Sequence, residues 1–216
     1  MNIAEEHISI SGEELTLTNQ RAIFWKRENA LILSDLHVGK TAHFRRHGIP
    51  MPHDILEKDL HRLEALIQYF RADQLIVVGD LFHAEVNSDM DKFKTWLNSF
   101  DSLKLLLIKG NHDERSRHFL EDLNIESVFQ WVNAPFVFVH DSVDDTSDFF
   151  SISGHTHPGV LIKGKGRQKL KLPCYQVTQK QLILPAFSLF TGLNTHDSPK
   201  DAVHYAFTNS SIFKFE

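Results

Sequence analysis

Five short stretches of the sequence collect residues able to hold a metal ion or move a proton. They are SDLH with Asp35 and His37, GD with Gly79 and Asp80, GNHD with Asn111, His112 and Asp113, VHD with His140, and GHTH with His155 and His157. Each is ordinary alone: Asp-x-His recurs by chance, and Gly-Asp is common turn chemistry. Yet each follows a short apolar run, and the chain carries 14 histidines in 216 residues, well above ordinary usage. The chemistry that suits such a set is displacement at phosphorus, in which two divalent cations ~3.5–4 Å apart clamp the attacking and leaving oxygens. A bridging carboxylate is needed, and Asp80 is the candidate. Asp35, His37 and His157 would complete one site; Asn111, His140 and His155 would complete the other. Mixed imidazole, carboxylate and amide ligands suit Mn, Fe or Zn better than Mg alone, which prefers oxygen. A hydroxide held between the ions is the expected nucleophile, because coordination lowers the pKa of water to about 7. His112 is then left over, and its expected task is to protonate the departing oxygen as a general acid.

These residues must be positioned by the elements that precede them. HISIS, ELTLT and RAIFWK read as short antiparallel strands separated by polar turns. ALILSD, QLIVVGD and LKLLLIKGNHD are buried strands that open into polar loops. Between them, Leu56, Leu60, Leu63, Ile67 and Phe70 fall at helical spacing, with Asp54 as the expected N-cap, and Met90, Phe93, Leu97 and Phe100 repeat the pattern. Residues 114–123 form the last expected helix. Beyond them come strand-like runs: PFVFVHD, FFSISGHTH, VLIKG, QKLKL, CYQV, QLILPAF, AVHYAF and SIFKF. The pattern predicts an α/β protein of two packed sheets with helices outside, a single domain over residues 1–216 without linker or repeat. Ligands of open α/β sheets bind beyond the carboxyl ends of the strands, where all five stretches fall.

The order D-x-H, G-D, G-N-H-D, H, G-H-x-H resembles that of the calcineurin-like metallophosphoesterase superfamily, with the likeness running from Asp35 to His157. It implies a β-sandwich of two mixed sheets flanked by α-helices, a four-layer α-β-β-α arrangement with a dinuclear site at its edge. The phosphoprotein phosphatase branch reads G-D-x-x-D-R-G, whereas this chain has His83 and Ala84 at the last Asp and Arg. That apparatus is missing, so the branch is disfavoured. GDLFH is instead similar to SbcD-type nucleases, and implies that His83 lies in the active site; the plainer alternative is a surface loop residue. Asp113 and Glu85 are the candidates to orient His112. SDLHVGKTAHFRRHGIPMP together with GDLFHAEVNSDM resembles the ligase-associated DNA damage response endonuclease family, also called PdeM. That likeness implies a bacterial protein acting on DNA beside a ligase, a helicase and an exonuclease.

Composition narrows the rest. The net charge of −5 argues against an all-over polyanion-binding surface, but residues 149–196 hold six Lys and Arg and no Asp or Glu. Within that segment Lys163, Lys165, Arg167, Lys169 and Lys171 alternate with Gly, Gln and Leu, which predicts one basic face of a hairpin turning near residues 164–166. Lys165, Arg167 and Lys169 are candidate contacts to a nucleic-acid backbone; the alternative is a lysine-protected sheet edge. Lys40, Arg45 and Arg46 follow the first motif closely enough to reach a substrate phosphate, or form a solvated helix face. His43, His47 and His53 are not needed as ligands, and His7, His61, His118, His196 and His204 read as ordinary surface or core residues. The lone Cys174 excludes an internal disulfide and reads as a small buried hydrophobe. No 18-residue apolar run and no signal-peptide pattern occur, so a cytoplasmic protein without a membrane partner is expected. The expected activity is that of a dinuclear-metal phosphodiesterase, a DNA nuclease in bacterial DNA repair dependent on Mn. A small-molecule phosphoesterase that cleaves a nucleotide or lipid-linked diphosphate is the rival; a degenerate protein-binding scaffold would have no use for the ligands.

Overall fold

The computed structural model describes residues 1–83, 87–141 and 148–215. Strands β1 (Glu5–Ile10), β2 (Glu13–Thr18) and β3 (Ile23–Trp25) form the expected antiparallel meander, and β4 (Ala30–Leu33) pairs with β3 to close it. From β4 onward this sheet is parallel: β4, β5 (Gln74–Val78), β6 (Lys104–Ile108) and β7 (Glu126–Val128) lie side by side. Their connections contain the helices α1 (Lys40–Arg46), α2 (Ile55–Phe70), α3 (Ser88–Leu97) and α4 (Arg117–Asp122). Parallel strands need such crossovers, which explains the strand–helix alternation of the first half. Alternate residues of β4 to β6 serve two cores. Leu31, Leu33, Leu75, Val77 and Leu107 face the helices, while Ile32, Ile76, Val78, Leu106 and Ile108 face the second sheet. Burial on both faces is why these strands read as unbroken apolar runs.

The second sheet contains β8 (Gln130–Asn133), β9 (Phe136–Val139), β10 (Phe150–Ser153), β13 (Gln181–Ile183), β12 (Lys169–Val177), β14 (Val203–Phe207) and β15 (Ile212–Phe215), in that spatial order. It is mixed, since β9, β10 and β13 are parallel and the rest antiparallel. The chain segment after β13 crosses between the sheets: the Leu184 amide donates to the Ser153 carbonyl, and the Phe187 amide donates to that of Ser34 at 2.7 Å. Arg62 and Arg21 donate to the carbonyls of Phe187 and Ala186, and the Asp59 carboxylate accepts from the Leu189 amide, so α2 fastens this crossing. No described helix is long and apolar enough to cross a membrane.

Several local expectations change. Asp54 stands at the N-cap of α2 but directs its carboxylate to Lys58 at 2.7 Å rather than to a helical amide. Residues 114–123 begin as a 3-10 turn (Asp113–Ser116) before α4. The separate runs QKLKL and CYQV are one strand, β12, whose first half pairs with β11 (Gly159–Lys163). In that hairpin Lys163 lies opposite Lys169, and the Gly164 amide donates to the Gln168 carbonyl. Lys165 and Arg167 therefore sit in a five-residue loop, so only Lys163, Lys169 and Lys171 share the strand face expected for all five. Gly166, at φ 73°, supplies the left-handed residue that turns this loop.

Cys174 is fully buried against Leu172 and Ala206 on the outer face of the second sheet, and burial pushes its thiol up to about 12. Because the thiolate is the reactive form, the native protein is expected to resist a thiol reagent at pH 8 and to react fully once unfolded. Stoichiometric labelling of the folded protein would contradict this burial.

Candidate metal centre

The carboxyl ends of five strands meet at one edge of the sandwich. Asp35 and His37 follow β4, Asp80 follows β5, Asn111 and His112 follow β6, His140 follows β9, and His155 and His157 follow β10. Because β4 to β6 run parallel, as do β9 and β10, their loops emerge on the same side and converge though they are far apart in sequence. Main-chain bonds knit the loops together. The Asp35 amide donates to the Gly79 carbonyl at 3.0 Å and the His37 amide to the Asp80 carbonyl at 2.9 Å. The His155 amide donates to Asp35 Oδ2 at 3.1 Å, tying the second sheet to the first. Asp35, His37, Asp80, His155 and His157 all have φ between 51° and 65°. Non-glycine residues rarely take this left-handed conformation, and such strain persists where surrounding structure enforces it. Two glycines make the close approach feasible. A Cβ on Gly79 would lie 1.9 Å from His140 Nδ1, and one on Gly154 would lie 1.7 Å from Ser34 Oγ.

The side chains form two triads. In the first, His157 Nε2 lies 3.1 Å from Asp35 Oδ1, and His37 Nε2 lies 3.4 Å from His157 Nε2. In the second, His140 Nε2 is 3.5 Å from Asp80 Oδ1 and 3.2 Å from His155 Nδ1. Ligand atoms bound to one ion at about 2.0–2.2 Å stand roughly 3–4 Å apart, so both triads fit a divalent cation. Asp35 Oδ1 is buried with only the His157 and His37 imidazoles near it among the described residues, and a divalent cation would meet its charge there. The His140 Nδ1 lies 3.0 Å from the Val78 carbonyl, which can only accept, so Nδ1 carries a proton and Nε2 faces the triad.

Charge follows the same plan. Burial opposes ionisation of Asp35, but the neighbouring His157, His140 and His37 outweigh it and hold the carboxyl below its ordinary range. Asp80 is also lowered, burial being overcome by His140 and the His112 amide. Burial also works against a charged His140, yet Asp80 and then Asp35 lift it to about 9. A cation entering the second triad must displace that proton, which ties metal uptake to proton release. His37, by contrast, is pushed down to about 3 by burial and stays neutral, as a ligand must.

The remaining site residues divide. Asn111 is exposed and directly precedes His112, whose amide donates to Asp80 Oδ1 at 3.1 Å. The His112 imidazole is partly exposed, with Nε2 3.9 Å from Asp80 Oδ2. Its ring packs 4.6 Å from that of His83, which is half-buried and pushed down to about 4 by burial and then by His112 and Lys40. His83 therefore faces the centre as a neutral imidazole, not as a solvated loop residue. Asp113 does not orient His112. Its carboxylate accepts the amides of Asp80, Phe82 and Gly110 at 2.8–2.9 Å and so binds the second and third loops together. Burial raises this carboxyl to about 6 against those amides. Glu85, the other candidate, lies outside the described residues. Asp113→Ala would orphan three buried amides, each costing about 1 kcal/mol or more. The expected loss of about 3 kcal/mol lowers Tm by roughly 6–12 °C in a chain of this size, measurable by calorimetry.

Lys40 begins α1, where partial burial lowers its pKa while Asp35 and Asp80 oppose the shift. Arg45 is engaged within the protein. It turns to the buried Asp89, which also accepts from Thr41 Oγ1 and the Ala42 amide, so Arg45 fastens α1 to α3. Arg46 instead lines a cavity of about 670 Å³ whose other walls include His43, His47, His83, His112 and Arg115. Lys165, Arg167 and Lys169 are exposed on the hairpin that leaves the site two residues after His157. Sequence reasoning missed Arg115 and the part played by His43 and His47, because nothing in their spacing links α1 to the turn after His112. It also missed Ser34, whose hydroxyl reaches both the Val78 carbonyl and Asp35 Oδ2.

The family profile of calcineurin-like phosphoesterases matches residues 29–202, spanning every ligand candidate. The chain belongs to this family. As a calcineurin-like phosphoesterase it is a metal-dependent hydrolase of phosphate esters, built as two mixed sheets flanked by helices. The fold is similar to the crystal structure of the Pseudomonas putida nuclease MPE, with a TM-score of 0.80 and 30% identity over 94% of this chain and 96% of that one. No curated protein matches the sequence.

Proposed function

We infer that this phosphoesterase is a DNA nuclease of the ligase-associated, PdeM-like type, dependent on two divalent ions with Mn the best fit. The observation that carries the reading is the pair of Asp/His triads with the His112 imidazole at their mouth, on a fold similar to a nuclease. Bound divalent ions would supply the Lewis-acid charge that stabilises a phosphoryl transition state. Asp35, His37 and His157 would hold one ion and Asn111, His140 and His155 the other, with Asp80 shared between the two sets. His112 donates a proton to the departing oxygen, and its exposure lets that oxygen reach it. His83 packs on the His112 ring and sets its position, the part played elsewhere by a carboxylate. Lys40 supplies positive charge beside the phosphate. A role in bacterial DNA repair, in the cytoplasm beside a ligase, a helicase and an exonuclease, follows from the motif likeness.

The test compares Mn-supported cleavage of DNA substrates with hydrolysis of a panel of nucleotides and phosphomonoesters. Turnover of DNA alone, or much faster DNA turnover, supports the nuclease reading; efficient turnover confined to small phosphate esters replaces it with a small-molecule phosphoesterase.

The basic hairpin adds a prediction. Lys163 and Lys169 are directly opposed like charges, an arrangement that costs stability in the free protein, and no described ion pair relieves them. If the hairpin follows a nucleic-acid backbone, each lost phosphate contact removes about 0.7–0.9 from the slope of log affinity against log salt. Replacing Lys165, Arg167 and Lys169 by Gln should flatten that slope by about 2, with the metal content by elemental analysis still two per chain. An unaltered slope rejects the hairpin as a track for DNA.

A further inference from the structure

The cavity beside the metal centre shares His83 and His112 with it, then runs outward between α1 and the turn that follows His112. At about 670 Å³ it lies in the range of pockets that enclose a small organic ligand. Its walls hold two guanidinium groups, Arg46 from α1 and Arg115 from the 3-10 turn, and no carboxylate among the described residues. Neither arginine has an ion-pair partner among the described residues, in contrast to Arg45 next door, which is tied to Asp89. Two guanidinium groups lining one cavity without an ion-pair partner among the described residues favour an anion with several acceptor oxygens, which Arg can grip bidentately.

Between the metal ligands and the outer end of the cavity stands a row of imidazoles. The His83 ring lies 5.2 Å from that of His37, His43 lies 6.2 Å from His83, and His47 lies 4.3 Å from His43. The row extends beyond the place a single phosphate would take at the triads, and imidazole rings can stack with a planar base. A terminal monophosphate would leave this volume unused.

We propose that the cavity is a flanking-nucleotide subsite, in which Arg46 and Arg115 bind the phosphate next to the scissile one and the His43 and His83 rings line the space for the intervening nucleoside. This rests on the nuclease reading above and names the part of the substrate that the protein recognises beyond the reacting phosphate. Arg46 and Arg115 are exposed, so their replacement removes charge without opening the core.

The experiment measures kcat/KM on a ladder of substrates: thymidine 5′-p-nitrophenyl phosphate, then oligothymidylates of two, three and four nucleotides. In the unaltered protein kcat/KM should rise at least tenfold when one flanking phosphate is added. In the Arg46→Gln/Arg115→Gln double variant that rise should disappear, chiefly through KM. Fluorescence anisotropy of a labelled oligothymidylate on the metal-free protein gives a readout independent of turnover, and its salt slope should fall by about 1.4 for two lost contacts to a single strand. A double variant that keeps both the length dependence and the slope overturns the subsite while leaving the nuclease reading intact. An unaltered protein that hydrolyses the nitrophenyl ester but no oligonucleotide overturns both. Circular dichroism and metal content verify that the variant is folded, and Arg46→Lys/Arg115→Lys should recover part of the rise.

Discussion

Asp80→Asn protein is expected to retain fewer than one tightly held divalent ion per chain, where the unaltered protein is expected to hold two. Asp80 takes part in the second triad, with Oδ1 3.5 Å from His140 Nε2, while its main-chain carbonyl accepts the His37 amide of the first. The substitution keeps the shape and one acceptor oxygen, so the His112 amide can still be satisfied and the loop should keep its course. What disappears is the negative charge between two sets of ligands that otherwise contribute only Asp35 and neutral groups. Even outer-shell partners of a ligand change metal affinity about 10–100-fold, so a bridging carboxylate should weigh at least as much. Elemental analysis after gel filtration reads the result directly. Two ions still tightly bound in the Asp80→Asn protein would remove Asp80 from the bridging position.

His112→Ala should have the opposite signature, with both ions retained and turnover lost. The ligand contact made by this residue is through its amide, which donates to Asp80 Oδ1 and survives truncation of the side chain. The imidazole is partly exposed at the mouth of the triads, where a leaving oxygen would emerge. A positioned general acid typically contributes 10²–10⁴ in rate, so kcat on a DNA phosphodiester should fall by about that factor. The loss should be much smaller for a p-nitrophenyl ester, whose leaving group departs without a proton. Equal losses on the two substrates, with metal content preserved, would show that the imidazole acts on binding or on the nucleophile instead. Loss of an ion would place His112 among the ligands.

Much of the candidate site could be read in the sequence because it lies at strand ends. A buried strand must be apolar along its length, so Asp35, Asp80 and His140 stand out as polar residues within two positions of where the chain leaves the sheet. The parallel region was legible for the same reason, its apolar runs being separated by helical periodicity. The strands β7 and β8 were not. They are only three and four residues long and partly exposed, and so carry neither an apolar run nor clean alternation.

The types and order of the ligand residues were thus decided by local sequence, since the chemistry of a divalent ion selects carboxylate and imidazole, and the sheet dictates where they can sit. The pairing of side chains was decided only in three dimensions. Nothing local makes Asp113 the clasp for the amides of Asp80 and Phe82, or sends Arg45 to Asp89 while the adjacent Arg46 faces the cavity. Successive residues on a helix point about 100° apart, so which of two neighbouring arginines meets substrate depends on how α1 is rotated against α3. The hairpin shows the same limit: alternation in KGKGRQKLK is real, but whether it becomes a strand face or a loop depends on the register, and pairing of Lys163 with Lys169 places Lys165 and Arg167 at the tip. Side-chain identity is local, whereas the direction in which a side chain is aimed is set by packing between elements distant in sequence.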